Sequence, residues 1–447
     1  MLGVAGLLAL LAASGCINES PSHGAADNSA ADSAPARPHK ASLNLKPAIP
    51  APGDVLIAGG ADASNQSVAD AEFFDPSLGQ FVLTGTASSS RAAISAAPLS
   101  PTQVLFAGGF SGHATIRNFS LNLDGRILSS AESFDETTGA FSPAGVMGTA
   151  RMGYTATELN NGKVLVAGGL DNHDNVLDTA ELYDPAARKF VAVATPMSDR
   201  RMFHTATLLL SGKVLITGGA TNLSGDTTNS ADIYDPASNS FTPATFPMDH
   251  QRAAHTATLF TTGPAAGKVL ITGGVGGSSF FFKDSSAELY DPVSQQFVLL
   301  SGFMNEPRSM HTATLLDDGN VLLAGGFSGT VAVSGGLLSG ASGLISNSAE
   351  TFDPTTGDFT CVNGFNNDAL RCNQSMTVAR AAHTATMLTT GAKPHRVLIT
   401  GGIGATDPAA HGKSLASAEL FNPAGGTFTA TPPMSIARSL HTATLLH

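Results

Sequence analysis

Five histidines recur in one motif, R-x-x-H-T-A-T: His204, His255, His311, His383 and His441 follow Arg201, Arg252, Arg308, Arg380 and Arg438. Imidazoles gathered in one place could hold a transition metal or move protons, and arginines could clamp carboxylates or anions. Carboxylates recur too, in AEFFDP, AESFDE, AELYDP, ADIYDP, AELYDP, AETFDP and AELFNP. A group present in every copy is explained more simply by construction of the repeat than by one site, so the Arg and Glu sets are read as structural ion pairs. A metal wants its ligands about 2 Å from one ion, which histidines spread over separate repeats do not offer. They too are read as structural. Cys361 and Cys372 lie close together in a Gly/Asn-rich stretch. An oxidising compartment favours a local disulfide there, with two free thiols as the alternative, and metal ligation lacks two further ligands. Asp171-Asn172-His173-Asp174-Asn175 has oxygen donors for calcium without the spacing of a known calcium loop, so a solvated loop is expected. No catalytic residue, metal site or cofactor is predicted.

The elements that position these groups are legible as repeats. Seven runs like KVLITGG end at Gly60, Gly109, Gly169, Gly219, Gly274, Gly326 and Gly402, each a short β-branched strand closing on a glycine pair. Each is followed by the AE-x-[YF]-[DN]-P type segment, a strand entering a turn in which the Asp side chain accepts backbone N–H groups. An aromatic then opens the next strand, at Phe81, Phe141, Phe190, Phe241, Phe297, Phe359 and Phe428. The unit ends on the arginine and HTATLL. Two copies are degenerate, Ile94 following Arg91 and Tyr154 following Arg151 where the others have histidine. In an antiparallel meander the start of the first strand, the end of the second and the start of the third share one end. Arg201, Gly218-Gly219 and Glu181 or Asp232 are therefore expected together there. The flanking strands stand about 9.6 Å apart, and glycine between them leaves room for Arg and Glu to meet.

This order of motifs resembles the kelch repeat, from Asp54 to His447, with phenylalanine where kelch repeats often carry tryptophan. The resemblance implies an all-β, seven-bladed kelch-type β-propeller. The first strand, Asp54 to Gly60, is of second-strand type and the last, Arg438 to His447, of first-strand type, so the C-terminal strand is expected to close the ring in the first blade and cover its sheet edge. Among enzymes with kelch-like propellers, galactose oxidase uses tyrosines, histidines and a cysteine crosslinked to a tyrosine to hold copper. Here Tyr183, Tyr234 and Tyr290 belong to the repeated turn segment, only Tyr154 is left, and Cys361 and Cys372 share one loop. The copper site is not expected.

The remaining features bear on place and partner. A formal net charge of −12 and the lack of a Lys/Arg cluster exclude nucleic acid and anionic membrane surfaces as partners. Leu2 to Ala13 is an apolar run suited to a signal peptide, and Ala13-Ser14-Gly15-Cys16 resembles the bacterial lipobox, which implies lipidation at Cys16 and anchoring in the cell envelope, on the outer membrane or cell surface, with plain secretion as the alternative. Residues 17–53 read as a flexible tether. Long insertions follow the glycine pairs at Phe110 to Ser130, Ala220 to Ser230, Val275 to Ser286, Phe327 to Ser348 and Ile403 to Ser417, with Thr360 to Ala379 as a long crossover. All fall on one face, while opposite loops such as Asn160 to Gly162 are minimal. Long irregular loops on a rigid scaffold are where binding residues collect. Val331, Val333, Leu337, Leu338, Leu344, Ile345, Phe365 and Arg371 are the candidate binding residues; packing of the apolar ones as an extra hairpin is the equal alternative. The expectation is a monomeric binding or scaffolding protein recognising protein or glycan, with a carbohydrate-active enzyme or a structural envelope module as competing classes.

Overall fold

The computed structural model describes Ala48 to His447 apart from 101, 118–119, 277–281, 329, 335–336, 343–344, 366–371, 391–394 and 406–412. Its described residues contain strands and no helix, and they build seven four-stranded antiparallel sheets. The apolar runs before the glycine pairs are the second strands: Val55–Ala61, Gln103–Ala107, Val164–Ala167, Val214–Thr217, Val269–Thr272, Val321–Ala324 and Val397–Thr400. The sheets are numbered first to seventh in that order. Flanked by strands on both sides and covered on both faces, these runs are buried along their length and mostly apolar instead of alternating.

Each sheet is a meander. In the fourth, Val214–Thr217 pairs with Thr205–Leu208 and with Ala231–Asp235, which pairs with Ser240–Pro243. The aromatics of third and fourth strands face each other in register: Tyr234 opposes Phe241 with ring centroids 5.1 Å apart, and all seven sheets have such a pair. The core lies between sheets. Leu165 and Ala167 of the third pack with Val214, Ile216 and Tyr234 of the fourth. The turns after the third strands are Asx turns, Asp235 accepting from Ala237 N at 2.9 Å, as the Asp-Pro segments predict.

The last strand, Ser439–Leu445, completes the first sheet, with Leu445 opposite Val55 and His441 opposite Gly59. It also lies beside the innermost strands of the second and seventh sheets, Ala96–Ser100 and Thr384–Met387. Two residues after each arginine, Ala93, Gly153, Phe203, Ala254, Met310, Ala382 and Leu440 all have φ between 51° and 64°. Their backbones form a circuit. Each N–H donates to the carbonyl of the equivalent residue one sheet earlier, as Phe203 does to Gly153 at 2.9 Å, and Ala93 donates to Leu440 at 3.2 Å.

Most of the insertions contain paired strands, including the hairpin given as the alternative for 327–348, whereas Ala220 to Ser230 has only isolated bridges. Phe110–Arg117 pairs with Ser120–Ile127, Thr330–Ser334 with Leu337–Ser342, and Ile403–Ala405 with both Ala379–Ala381 and Lys413–Ser414. The physical reason is a template: the residue after each glycine pair already bridges the residue after an arginine, as Phe327 bridges Ser309, so chain leaving the sheet continues its ladder. The end of the segment read as tether is also held. Ala48 O accepts from Thr84 Oγ1 at 2.6 Å, and Gly53 N donates to Leu446 O at 3.0 Å.

Candidate functional site

The arginines lie at the end of the sheets from which the insertions emerge. Arg201, wholly buried, donates from Nη1 to Gly218 O at 2.7 Å and from Nη2 to Ser230 Oγ at 2.9 Å and Asp232 Oδ2 at 2.7 Å. Asp232 in turn accepts from Ser198 N in the crossover before Arg201. One pair thus ties three strands and the incoming chain. It recurs as Arg91–Glu132, Arg151–Glu181, Arg252–Glu288, Arg308–Glu350 and Arg380–Glu419, and Arg438–Glu72 at 3.2 Å ties the chain's last strand to its first sheet. Burial lowers the Arg201 guanidinium, and the Asp232 charge opposes the shift. The glycine pair divides its work differently from the sequence expectation. Room for the arginine stem is made by the second residue, since a Cβ on Gly219 would stand 2.8 Å from Arg201 Cβ. The first, Gly218, makes room for the next sheet, where a Cβ would meet Arg252 O at 2.3 Å and His255 Cε1 at 2.9 Å.

The histidines face sideways. His255 Nε2 bonds Thr205 Oγ1 and Thr217 Oγ1, both at 3.1 Å, in the preceding sheet, and His204, His311, His383 and His441 reach back to Thr155, Thr256, Thr312 and Thr384 in the same way. Burial, and secondarily the nearby arginine, lowers His204, His311 and His441 to about 3 and His255 and His383 well below the ordinary value, so all five are neutral at pH 7. Tyr154 takes the histidine's place: its hydroxyl reaches back to the Ala107 carbonyl, and burial pushes it up to about 12. Nε2 of each ring is thus engaged in the preceding sheet while Nδ1 is buried without a partner, and no group of three or more His, Cys, Asp or Glu side chains that could hold a metal occurs among the described residues. The donor set of a copper–tyrosine site does not fit either. Tyr183, Tyr234 and Tyr290 are stacked on Phe190, Phe241 and Phe297, and Cys361 and Cys372 are bonded to each other with Cα atoms 5.2 Å apart.

The structure brings part of the candidate binding set together. Val331 and Val333 lie on Thr330–Ser334 and Leu337 and Leu338 on Leu337–Ser342, the two strands of one hairpin; Leu344, Arg371 and Cys16 lie outside the described residues. Ile345 bridges Phe327 and packs on the apolar cluster at this end, whereas Phe365 is 49% exposed and bridges Cys372. The hairpin root meets the disulfide-bonded crossover, with Ser348 bridging Gln374 and Asn347 Nδ2 donating to Met376 O at 3.2 Å.

Three acidic positions at this end escaped the sequence reading. Asp199 accepts from Thr228 and Ser230, Glu306 from Ser346 and Ser348, and Asp284 bonds His250 Nδ1 at 2.8 Å and stands 3.3 Å from Arg252. The signal was present two residues before the arginine, where Asp199, His250 and Glu306 stand in consecutive copies. Ser286 Oγ approaches the same His250 nitrogen as Asp284, at 3.1 Å, so the group is not a nucleophile–base–acid relay, which needs the two ring nitrogens used separately. The Asp171 carboxylate is occupied by N–H groups of His173 and Asn175, and Asn172 by both backbone groups of Ile127, which makes 171–175 a self-bonded turn.

Comparison with known proteins agrees with this geometry. The kelch motif family model matches residues 151–197, the third sheet from its arginine to its last crossover. No curated protein matches the chain. Among solved structures, YjhT superposes with a TM-score of 0.53 at 13% identity, over 76% of this chain and 97% of that one. A fungal alcohol oxidase of the AA5 family, solved in complex with copper, superposes with a TM-score of 0.56 at 16% identity, over 86% of this chain and 76% of that one. Carrying the kelch motif on sheets that superpose on both neighbours, the chain has the fold of a kelch-type propeller and distantly resembles the galactose oxidase-like enzymes.

Proposed function

We propose that the seven sheets form one closed seven-bladed ring, and that the protein is an extracytoplasmic, lipid-anchored binding or scaffolding module taking a protein or glycan partner on its insertion-bearing face. The observation that carries the binding reading is the asymmetry of the two ends. At the arginine end hairpins and a disulfide-bonded crossover extend beyond the sheets, whereas at the other end most strands are joined by short turns such as 160–162, with 260–268 and 388–396 the longer connections. Kelch repeats generally mediate protein binding, which supports the same reading. The joined hairpin root and crossover form a contact surface whose ordering cost is partly met by the disulfide.

The test replaces only the hairpin strands, 330–342, by a short Gly/Ser turn, leaves Phe327, Ile345 and Ser348 at the root, and compares capture from envelope extracts and on a glycan array. The expected result is an unchanged melting transition with capture lost. Equal capture by the folded variant would refute this face as the binding surface.

A further inference from the structure

On the axis at the arginine end lies a pocket of about 290 Å³. Its wall is built by the seven-membered backbone circuit and the imidazole positions beneath it. The circuit occupies the N–H of every ring residue and one acceptor position on each ring carbonyl. The imidazoles use Nε2 on threonines of the preceding sheet and turn Cε1 toward its glycine pair, each Nδ1 is buried without a hydrogen-bond partner, and the Tyr154 hydroxyl is bonded to Ala107. No Lys, Arg, Asp or Glu lines the space among the described residues. Phe203, Met310 and Leu440 supply apolar wall, and Ala254 and Ala382 leave the volume open.

The pocket opens to solvent and most of its accessible lining is apolar, so an apolar molecule that enters covers apolar surface, and a volume of about 150 Å³ is already enough for benzene. We infer that this axial pocket is a binding site for a small, uncharged, apolar molecule of about the size of a substituted benzene. The inference is independent of the proposed partner on the surrounding hairpins, since it concerns the circuit and not the insertions.

The probe is fluorobenzene, followed by fluorine NMR on the full-length protein, with para-fluorobenzoate as its charged counterpart. Fluorobenzene should bind saturably at one site per chain, at least about tenfold more tightly than the anion, whose carboxylate would lose hydration without a partner. Ala254→Phe with Ala382→Phe fills the pocket. Phe203 already occupies the same φ with the same ring, so the backbone tolerates it. That variant should lose at least about tenfold in affinity. Phe203→Ala enlarges the pocket and should admit fluoronaphthalene, a second readout if the filled variant does not fold. No saturable fluorobenzene binding, or binding unchanged in the filled variant and no gain for fluoronaphthalene in Phe203→Ala, would overturn the site.

Discussion

At the scale of single residues, the protein spends its most polar side chains on construction. Arg201 and Asp232 are both wholly buried, and such a pair is worth less than the damage done by halving it. Arg201→Met should destabilise by about 3–5 kcal/mol by leaving Asp232 without its counter-charge. Adding Asp232→Leu should restore much of that loss; denaturant melts of the two variants decide the matter, and equal stability would show that the charges are not coupled. The histidines give a pH signature. Their folded values lie far below the unfolded value of about 6.5, so between about pH 6.5 and about pH 3 the unfolded chain takes up protons that the folded chain refuses. Their contribution is complete above pH 6.5 and is lost on acidification, each residue contributing about 1.4 kcal/mol per pH unit well below 6.5. Melting temperature should fall steeply from pH 7 to pH 5. The slope should be shallower in His204→Gln with His311→Gln, and an identical slope in that variant would contradict the assignment.

At the scale of the element, the glycine pair sets how closely neighbouring sheets approach. Gly218→Ala adds a methyl 2.3 Å from Arg252 O at a φ of 59°, and it should cost about 2 kcal/mol or more, read as a lowered urea midpoint. Gly263→Ala, at an equally left-handed turn with nothing within 4 Å, should cost less; equal losses would mean that conformational strain alone accounts for the effect. The strands, their order and the Arg–Glu meeting are legible in the sequence because each depends on residue type: β-branched runs, paired aromatics, Asp before Pro. The backbone circuit is not legible. Its seven members are Gly, Ala, Phe, Met and Leu, because the requirement falls on φ and on two hydrogen bonds and leaves the side chain free. The hairpin of Phe110–Arg117 and Ser120–Ile127 was hidden for a related reason. Its pairing is templated by the arginine end of the sheet, and Phe110-Ser-Gly-His-Ala carries no strong alternation of its own.

At the scale of the whole molecule, attachment and closure are separable. Cys16→Ser should move the protein from membranes to the soluble fraction, as shown by fractionation after a salt wash; continued membrane association would assign the anchor elsewhere. The proposed closure rests on segments far apart in sequence that share a sheet through six paired positions, on the Arg438–Glu72 ion pair and on the hydrogen bond from Ala93 to Leu440. Without Arg438 to His447 the first sheet loses its innermost strand, Glu72 loses its counter-charge and the circuit opens, exposing the edge of Val55–Ala61. The most direct test is calorimetric melting of the protein lacking Arg438 to His447. A ring predicts aggregation or loss of the single cooperative transition, and an unchanged transition at the same temperature would contradict closure.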